Sequence, residues 1–287
     1  MTFLKPLISK DGKVQLTKFE GNELQTVNPQ KQDTDSYKIC FLDVETTGKN
    51  KREDGIVEIA IKCVSVNKYS GKLISVTHSY ESFNDPGIPI TEEASQVNGI
   101  TDEMVAGKSI DWEIVGEIFE SADLIAAHNA SFDRAFLDRA LAISEDKLWA
   151  CTINDIDWLA KGFNSPKQEL LCIWHGFYYQ SHRAMNDVDA LIHLVTHNQY
   201  DENKPVMELM QNATIPFYRI TAAGSPFDTK DKLKARNYFW DANNRFWWKY
   251  LKHDEINPEK QWLIENVYDG PFLGDVNEIP ITDKYKL

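Results

Sequence analysis

A chain of 287 residues with 42% apolar and 26% charged side chains has material for one or two ordinary globular domains. Its formal net charge of -13 excludes coating of nucleic acid by bulk electrostatics, though not a local grip on a strand through metal ions. No apolar run approaches a membrane span, and Met1-Thr2-Phe3-Leu4-Lys5-Pro6 lacks the long apolar segment of a signal peptide, so a cytoplasmic protein without a membrane partner is expected.

Residues 1–36 are polar and weakly periodic, which predicts a short hairpin or extended arm followed by a linker at residues 28–35. From Tyr37 the pattern becomes regular. Strands are expected at 37–45, 55–66 and 72–83, and their short connections make them an antiparallel meander. A loop with Pro86, Gly87 and Pro89 follows, then short helical pieces, then a helix over 111–121 with Trp112, Ile114, Val115 and Ile118 on one face. A short strand is expected at 123–127, a helix over 131–143, a helix–loop–helix over 151–180 and a last helix from Ala184 to His197. Three strands followed by helix–strand–helix alternation predict an α/β domain with a mixed sheet at 37–200. Cys40, Cys63, Cys151 and Cys172 are scattered, with no Cys-x-x-Cys, and read as reduced thiols without a zinc site.

Residues 201–214 read as a connector with one helical turn or more and 215–287 as a compact α+β module. In the module a strand is expected at 217–222, a helix over 229–236 capped by Asp228, a hairpin of 238–240 with 246–250, and a helix over 258–266. From Ile215 to Lys252, eight Lys and Arg stand against three Asp, a net +5 in an otherwise acidic chain. Tyr238, Phe239, Trp240, Phe246, Trp247 and Trp248 alternate with these basic residues. They form either a platform for stacking single-stranded nucleic acid or the large side chains that a small core needs to close, and both hold if each takes one face.

The chemistry gathers at five places. In Phe41-Leu42-Asp43-Val44-Glu45-Thr46-Thr47-Gly48, strand alternation points Asp43 and Glu45 the same way, with Cys40, Leu42 and Val44 on the other side. Two carboxylates side by side are tolerable in a buried strand if a divalent cation sits between them; at a wet strand end they bind nothing. Asp133 falls in the first turn of the 131–143 helix, where the helix dipole favours negative charge, with Ser131 as its expected N-cap. His182 precedes Asp187 by five residues. On one continuous helix they would diverge by about 140 degrees, so they converge only if His182 lies on the loop before it. Val97-Asn98-Gly99-Ile100 reads as a turn carrying an apolar side chain outward. Glu58, between apolar residues, reads as a structural carboxylate facing solvent or an arginine.

Together these segments resemble the DEDDh family of 3'-to-5' exonucleases, typified by the proofreading epsilon subunit of bacterial DNA polymerase III. The resemblance covers residues 37–200. It rests on Phe-Leu-Asp-Val-Glu-Thr-Thr-Gly, the Pro86–Val105 segment, His128-Asn129…Phe132-Asp133 and His182-Arg183-Ala184-Met185-Asn186-Asp187. It implies a ribonuclease-H-like fold, a mixed five-stranded sheet flanked by helices. It also implies phosphodiester hydrolysis with two divalent cations, Mg²⁺ or Mn²⁺, held by Asp43, Glu45, Asp133 and Asp187, with His182 as general base. The substrate it implies is nucleic acid with a free 3' end, met by Thr46, Asn98, Ile100 and Phe132, and a DNA polymerase or another replication or repair protein is the implied partner. The family commonly has histidine where this chain has Asn98, which hydrogen-bonds but carries no charge. The resemblance to the proofreading branch makes single-stranded DNA the expected substrate. The alternatives are an exoribonuclease, a non-catalytic nucleic-acid-binding protein and a phosphodiesterase of small nucleotides. The C-terminal module resembles a small aromatic-rich domain found behind such exonucleases, with no activity implied.

Overall fold

A computed structural model describes residues 3–4, 7–9, 11–25, 35–201 and 203–286; the linker expected at 28–35 falls almost wholly outside them. The chain divides into two compact units, Met1–Ala213 with Tyr285–Leu287, and Thr214–Lys284.

The first unit begins with an arm. Strand β1 (Thr17–Lys18) runs parallel to β7 (Phe177–Tyr178), and Phe19 and Leu24 beyond it are buried in the main core. The central sheet contains β2 (Ser36–Thr46), β3 (Ile56–Asn67), β4 (Leu73–Phe83), β5 (Leu124–Ala127) and β6 (Trp149–Cys151). Their order is β4-β3-β2-β5-β6, with β2, β3 and β4 antiparallel and β5 and β6 parallel to β2. This is the mixed five-stranded, ribonuclease-H-like sheet expected. Strand β3 is buried along both faces, as a strand covered by helices on both sides must be.

Four helices support the sheet or close its core: α1 (Trp112–Ser121), α2 (Ala130–Ala140), α3 (Ala184–Val195) and α4 (Pro205–Ala213). Ile39 and Phe41 of β2 share a core with Val188, Leu191, Ile192 and Val195 of α3. Strand alternation therefore turns Asp43 and Glu45 toward the same side as α3. Helices α1 and α2 also pack on β2.

Several local expectations change. Strand β6, three residues long, lies where no strand was read, because so short a run shows no period. The first helix expected within 151–180 is a series of turns, and only Gln168–Trp174 is helical. Ser131 is not the N-cap of α2. Asn129 takes that position with φ 71°, a left-handed conformation that asparagine tolerates, and without a side-chain cap bond. The connector carries the helical segment expected, as α4, though its Val206, Leu209 and Ala213 are buried in the main core.

The second unit is an antiparallel sheet of β8 (Phe217–Ala222), β9 (Phe239–Asp241), β10 (Phe246–Leu251) and β11 (Val276–Ile279), ordered β11-β8-β10-β9. Strand β11 was not foreseen, and the short helix Lys230–Ala235 begins at Thr229 without the side-chain cap expected from Asp228. Ile220, Ala222, Leu233, Tyr238, Leu251, Leu263 and Val267 form its own core. Glu259 is buried there among Arg236, Lys249 and the Tyr238 hydroxyl, so two of the module's basic residues neutralise a carboxylate.

Helix α3 is fixed to β3 by charge as well as by apolar contact. The Lys62 ammonium of β3 is buried against Asp189 of α3. Gly21, at φ 76°, passes over this pair so closely that a Cβ would clash with the Asp189 carboxylate. Only glycine suits both that conformation and that approach. Asp189→Ala is expected to lower stability by about 3 kcal/mol, because it leaves the Lys62 charge buried and unpaired. A Lys62→Met/Asp189→Leu double variant is expected to recover most of the loss; urea unfolding of the two proteins checks this.

Candidate active site

The candidate residues come together in the first unit. Carboxylate oxygens of Asp43, Glu45 and Asp187 lie within 4.8 Å of one another. Asp43 and Glu45 are brought there by the alternation of β2, and a bulge after Glu45 ends its regular pairing with β3. Asp187 is in the first turn of α3. Its Oδ1 accepts a hydrogen bond of 2.7 Å from the Tyr179 hydroxyl, and its Oδ2 accepts one of 2.8 Å from the His182 backbone N–H.

His182 lies on the loop before α3, as convergence with Asp187 requires. It is exposed and holds a left-handed backbone at φ 63°, outside the usual range for a residue with a Cβ. Next to it, Arg183 donates to Glu58 from Nη2 at 2.7 Å and from Nε at 3.3 Å, and the Ala184 N–H donates to Glu58 at 3.1 Å. Glu58 is thus the structural carboxylate expected, facing an arginine and buried. It also lies directly across the β2–β3 pair from Glu45. Like charges in that position repel, and Arg183 offsets the repulsion.

Asp133 is only 2% exposed. It enters from α2 and accepts the Val44 N–H at 3.2 Å, which ties α2 to β2 beside the other carboxylates. Phe132 is half-buried, with its ring 5.1 Å from that of Phe136. Thr46 is buried, and its hydroxyl donates to the Gly48 carbonyl at 2.6 Å.

The Asn98-Gly99-Ile100 turn departs from expectation. Ile100 does not point outward: it is fully buried and packs with Val57 and Val105. The reason is local. Gly99 ends the preceding helix at φ 72°, and the Ser95 hydroxyl donates to the Ile100 carbonyl at 2.8 Å, which folds the chain back inward. The exposed apolar side chains of this segment are Val97 and Met104. Asn98 is buried as well. Its Nδ2 donates to Glu45 at 3.3 Å and its Oδ1 accepts from the Ile100 N–H at 2.9 Å, so its amide orients a site carboxylate.

Three contributors escaped the sequence reading. Tyr179 orients Asp187, and Gln168 donates both to the Tyr179 hydroxyl and to the Asp187 carbonyl. Lys51 donates to the Ser131 carbonyl at 2.9 Å and brings a positive charge near Asp133. No spacing or motif flags any of them.

Burial, reinforced by the charges of Asp133, Asp187 and Glu45, pushes the Asp43 carboxyl well above the usual carboxylate range. Burial raises Glu45 to about 7 and Asp133 to about 8, in each case against hydrogen bonds that favour the ionised form. Burial also raises Asp187. A crowd of hard oxygen donors that resist ionising together is what a hard divalent cation relieves, so the donor set fits one.

Groups whose folded values are raised contribute stability that is complete below their unfolded values near 4 and is lost as pH climbs through the folded values. In EDTA the melting temperature is therefore expected to fall between about pH 6.5 and 8.5, through the values near 7 and 8. Adding Mg²⁺ is expected to restore it and to release protons, more at neutral than at alkaline pH. Calorimetric melts and a proton-release titration measure both, and Asp133→Asn is expected to flatten the slope.

The chain is similar in sequence to several known proteins. The DNA polymerase III PolC-type protein of Listeria monocytogenes is 31% identical over 163 residues, covering 54% of this chain and 11% of that protein. The PolC-type protein of Thermotoga maritima is 32% identical over 122 residues, covering 42% and 8%. The chain thus spans about a tenth of the length of such relatives. A solved structure of exonuclease X in complex with 5' overhanging duplex DNA aligns at 23% identity with a TM-score of 0.38, covering 60% of this chain and 99% of that one. The sequence model described as Exonuclease matches residues 40–195, and this chain belongs to that family of DnaQ-like exonucleases.

Proposed function

We propose that this protein is a metal-dependent 3'-to-5' exonuclease that releases nucleoside 5'-monophosphates from single-stranded DNA. The observation that carries the reading is the convergence of Asp43, Glu45 and Asp187 within 4.8 Å. In this reading Asp43, Glu45, Asp187 and Asp133 would hold two divalent cations, Mg²⁺ or Mn²⁺. Such cations supply Lewis-acid stabilisation of charge on the phosphate and leaving oxygens and acidify a bound water.

The remaining steps fall to the chain itself. His182 takes the proton from the attacking water. Its place supports the role, because its backbone N–H is bonded to Asp187 while its side chain is exposed. The Thr46 hydroxyl has committed its proton to Gly48 and is left as an acceptor for a terminal 3'-OH. The half-buried Phe132 ring packs against the terminal base. Stacking reads no sequence, so little sequence preference is expected. Ile100, being buried, has no part. Asn98 acts through Glu45. The polymerase names of the relatives make a DNA polymerase the first partner to test.

Matched DNA and RNA strands, each labelled at one end, test the reading. The expected result is a 5'-labelled ladder shortening from the 3' end, faster on DNA, abolished by EDTA and by Asp43→Ala. His182→Ala is expected to lower kcat by roughly 10²–10⁴-fold while strand affinity holds. Faster loss of RNA would move the substrate to the exoribonuclease alternative. Activity that survives Asp43→Ala, or shortening from the 5' end, would end the reading.

A further inference from the structure

The second unit buries one face of its sheet and leaves the other exposed at Phe239 and Tyr250, while Thr221 on that second face is buried. Ile220, Ala222 and Leu251 point into its core, where Leu233 and Leu263 cover them from the helices. Pairing register puts the alternate residues on the opposite face. Phe239 stands across from Trp248, and Tyr250 across from Arg219. Phe239 is 61% and Tyr250 40% exposed.

These side chains form a row across three strands. The Phe239 and Trp248 rings are 5.4 Å apart and those of Trp248 and Tyr250 are 5.0 Å apart. Phe217 continues the row 6.3 Å beyond Tyr250, but its ring is occupied by the Lys284 ammonium at 4.4 Å. Neighbouring strands in a sheet stand about 4.8 Å apart, so rings on adjacent strands present faces at intervals that successive splayed bases can follow.

The row also carries a positive charge, Arg219, which acts on Asp241 and Tyr250. Arg219 Nε is buried and has no hydrogen-bond partner, an expense that a folded chain seldom bears without a use. The neighbouring carboxylate, Asp241, is engaged by its own turn: Oδ1 accepts from the Asn243 and Asn244 N–H groups, and Oδ2 from the Asn244 side chain.

From the aromatic row and the guanidinium whose Nε has no hydrogen-bond partner among the described residues, we infer that the open face of the second unit is a binding site for single-stranded nucleic acid. Two or three bases stack on Phe239, Trp248 and Tyr250, and a phosphate meets Arg219. Four antiparallel strands with helices behind and aromatic rings in front are an arrangement that suits unpaired bases. A peptide would find stacking surfaces here too, but the arginine favours a ligand with repeated anions. The inference rests on the proposal that nucleic acid is the substrate, and it goes further by giving the second unit a part in holding the strand.

The test is fluorescence anisotropy with the full chain, a 5'-fluorescein 16-nucleotide oligothymidylate and EDTA to prevent cleavage. Phe239→Ala and Tyr250→Ala change exposed side chains, and each is expected to weaken binding by about tenfold. Arg219→Gln is expected to reduce the slope of log K against log salt by about 0.7, the amount due to one phosphate of a single strand. Binding within twofold of the parent in both aromatic variants, or an unchanged salt slope, would overturn the inference and leave the face to a protein partner. Asp43→Ala run alongside separates the two readings. Lost cleavage with retained binding supports the face, whereas retained cleavage defeats the exonuclease proposal and leaves the binding result to stand or fall alone.

Discussion

Helix α3 is held across β2 and β3 by two charged contacts on one face of the sheet, and the site depends on both. Glu58 and Lys62 are four residues apart on β3 and so point the same way. Glu58 takes Arg183 and the Ala184 N–H at the start of the helix, and Lys62 takes Asp189 within it. Asp187 lies between these anchors in sequence and is thereby fixed opposite Asp43 and Glu45. A helix held by apolar contact alone slides or turns at little expense, because dispersion is not directional. A charge with a single buried partner does not, because any other register leaves it unpaired.

The same contacts set the loop before the helix. Arg183 and Ala184 are both bound to Glu58, so the residue preceding them has little freedom. His182 is left in a left-handed conformation with its N–H on Asp187. Strain of this kind persists only when the surroundings over-determine the backbone, and here the bonds on both sides of the residue do so. Glu58 therefore does two things at once: it anchors the helix that carries Asp187 and it fixes the approach of His182.

Much of this was legible in the sequence, and the reasons divide cleanly. The shared direction of Asp43 and Glu45 comes from the period of a strand, and the need for His182 to lie off the helix comes from the period of a helix. Both are local geometry. The central sheet was legible wherever a strand was long enough to show alternation, which is why β2, β3 and β4 emerged and the three-residue β6 did not. Ile100 was misjudged because a glycine turn states that the chain reverses, not which side chain it turns inward. That depended on Val57 and Val105, distant in sequence. Tyr179 and Gln168 act through hydrogen bonds to Asp187 that no spacing in the chain announces. In the second unit the aromatic residues could be read as core or as platform. Pairing register and burial together separate them, sending Tyr238 and Trp247 to the core and Phe239 and Tyr250 to the open face.

The kinds of donor chosen for each carboxylate bear on what the site is for. Glu58, Asp189 and Glu259 are buried acids, and each is neutralised by lysine or arginine. The site acids are treated differently. Among the described residues, their hydrogen-bond donors are neutral: the Tyr179 hydroxyl and the His182 N–H on Asp187, the Asn98 amide on Glu45 and the Val44 N–H on Asp133. A neutral donor fixes the direction of a carboxylate and partly offsets its desolvation without cancelling its charge. An arginine in the same position would quench the negative potential and lower the pKa. The fold has cations close by, in Arg183 and Lys51, and it bonds them to Glu58 and to the Ser131 carbonyl instead. Acids that are oriented but not neutralised retain their attraction for a cation from solution. The raised pKa values of Glu45 and Asp133 are the measure of what that cation has to offset.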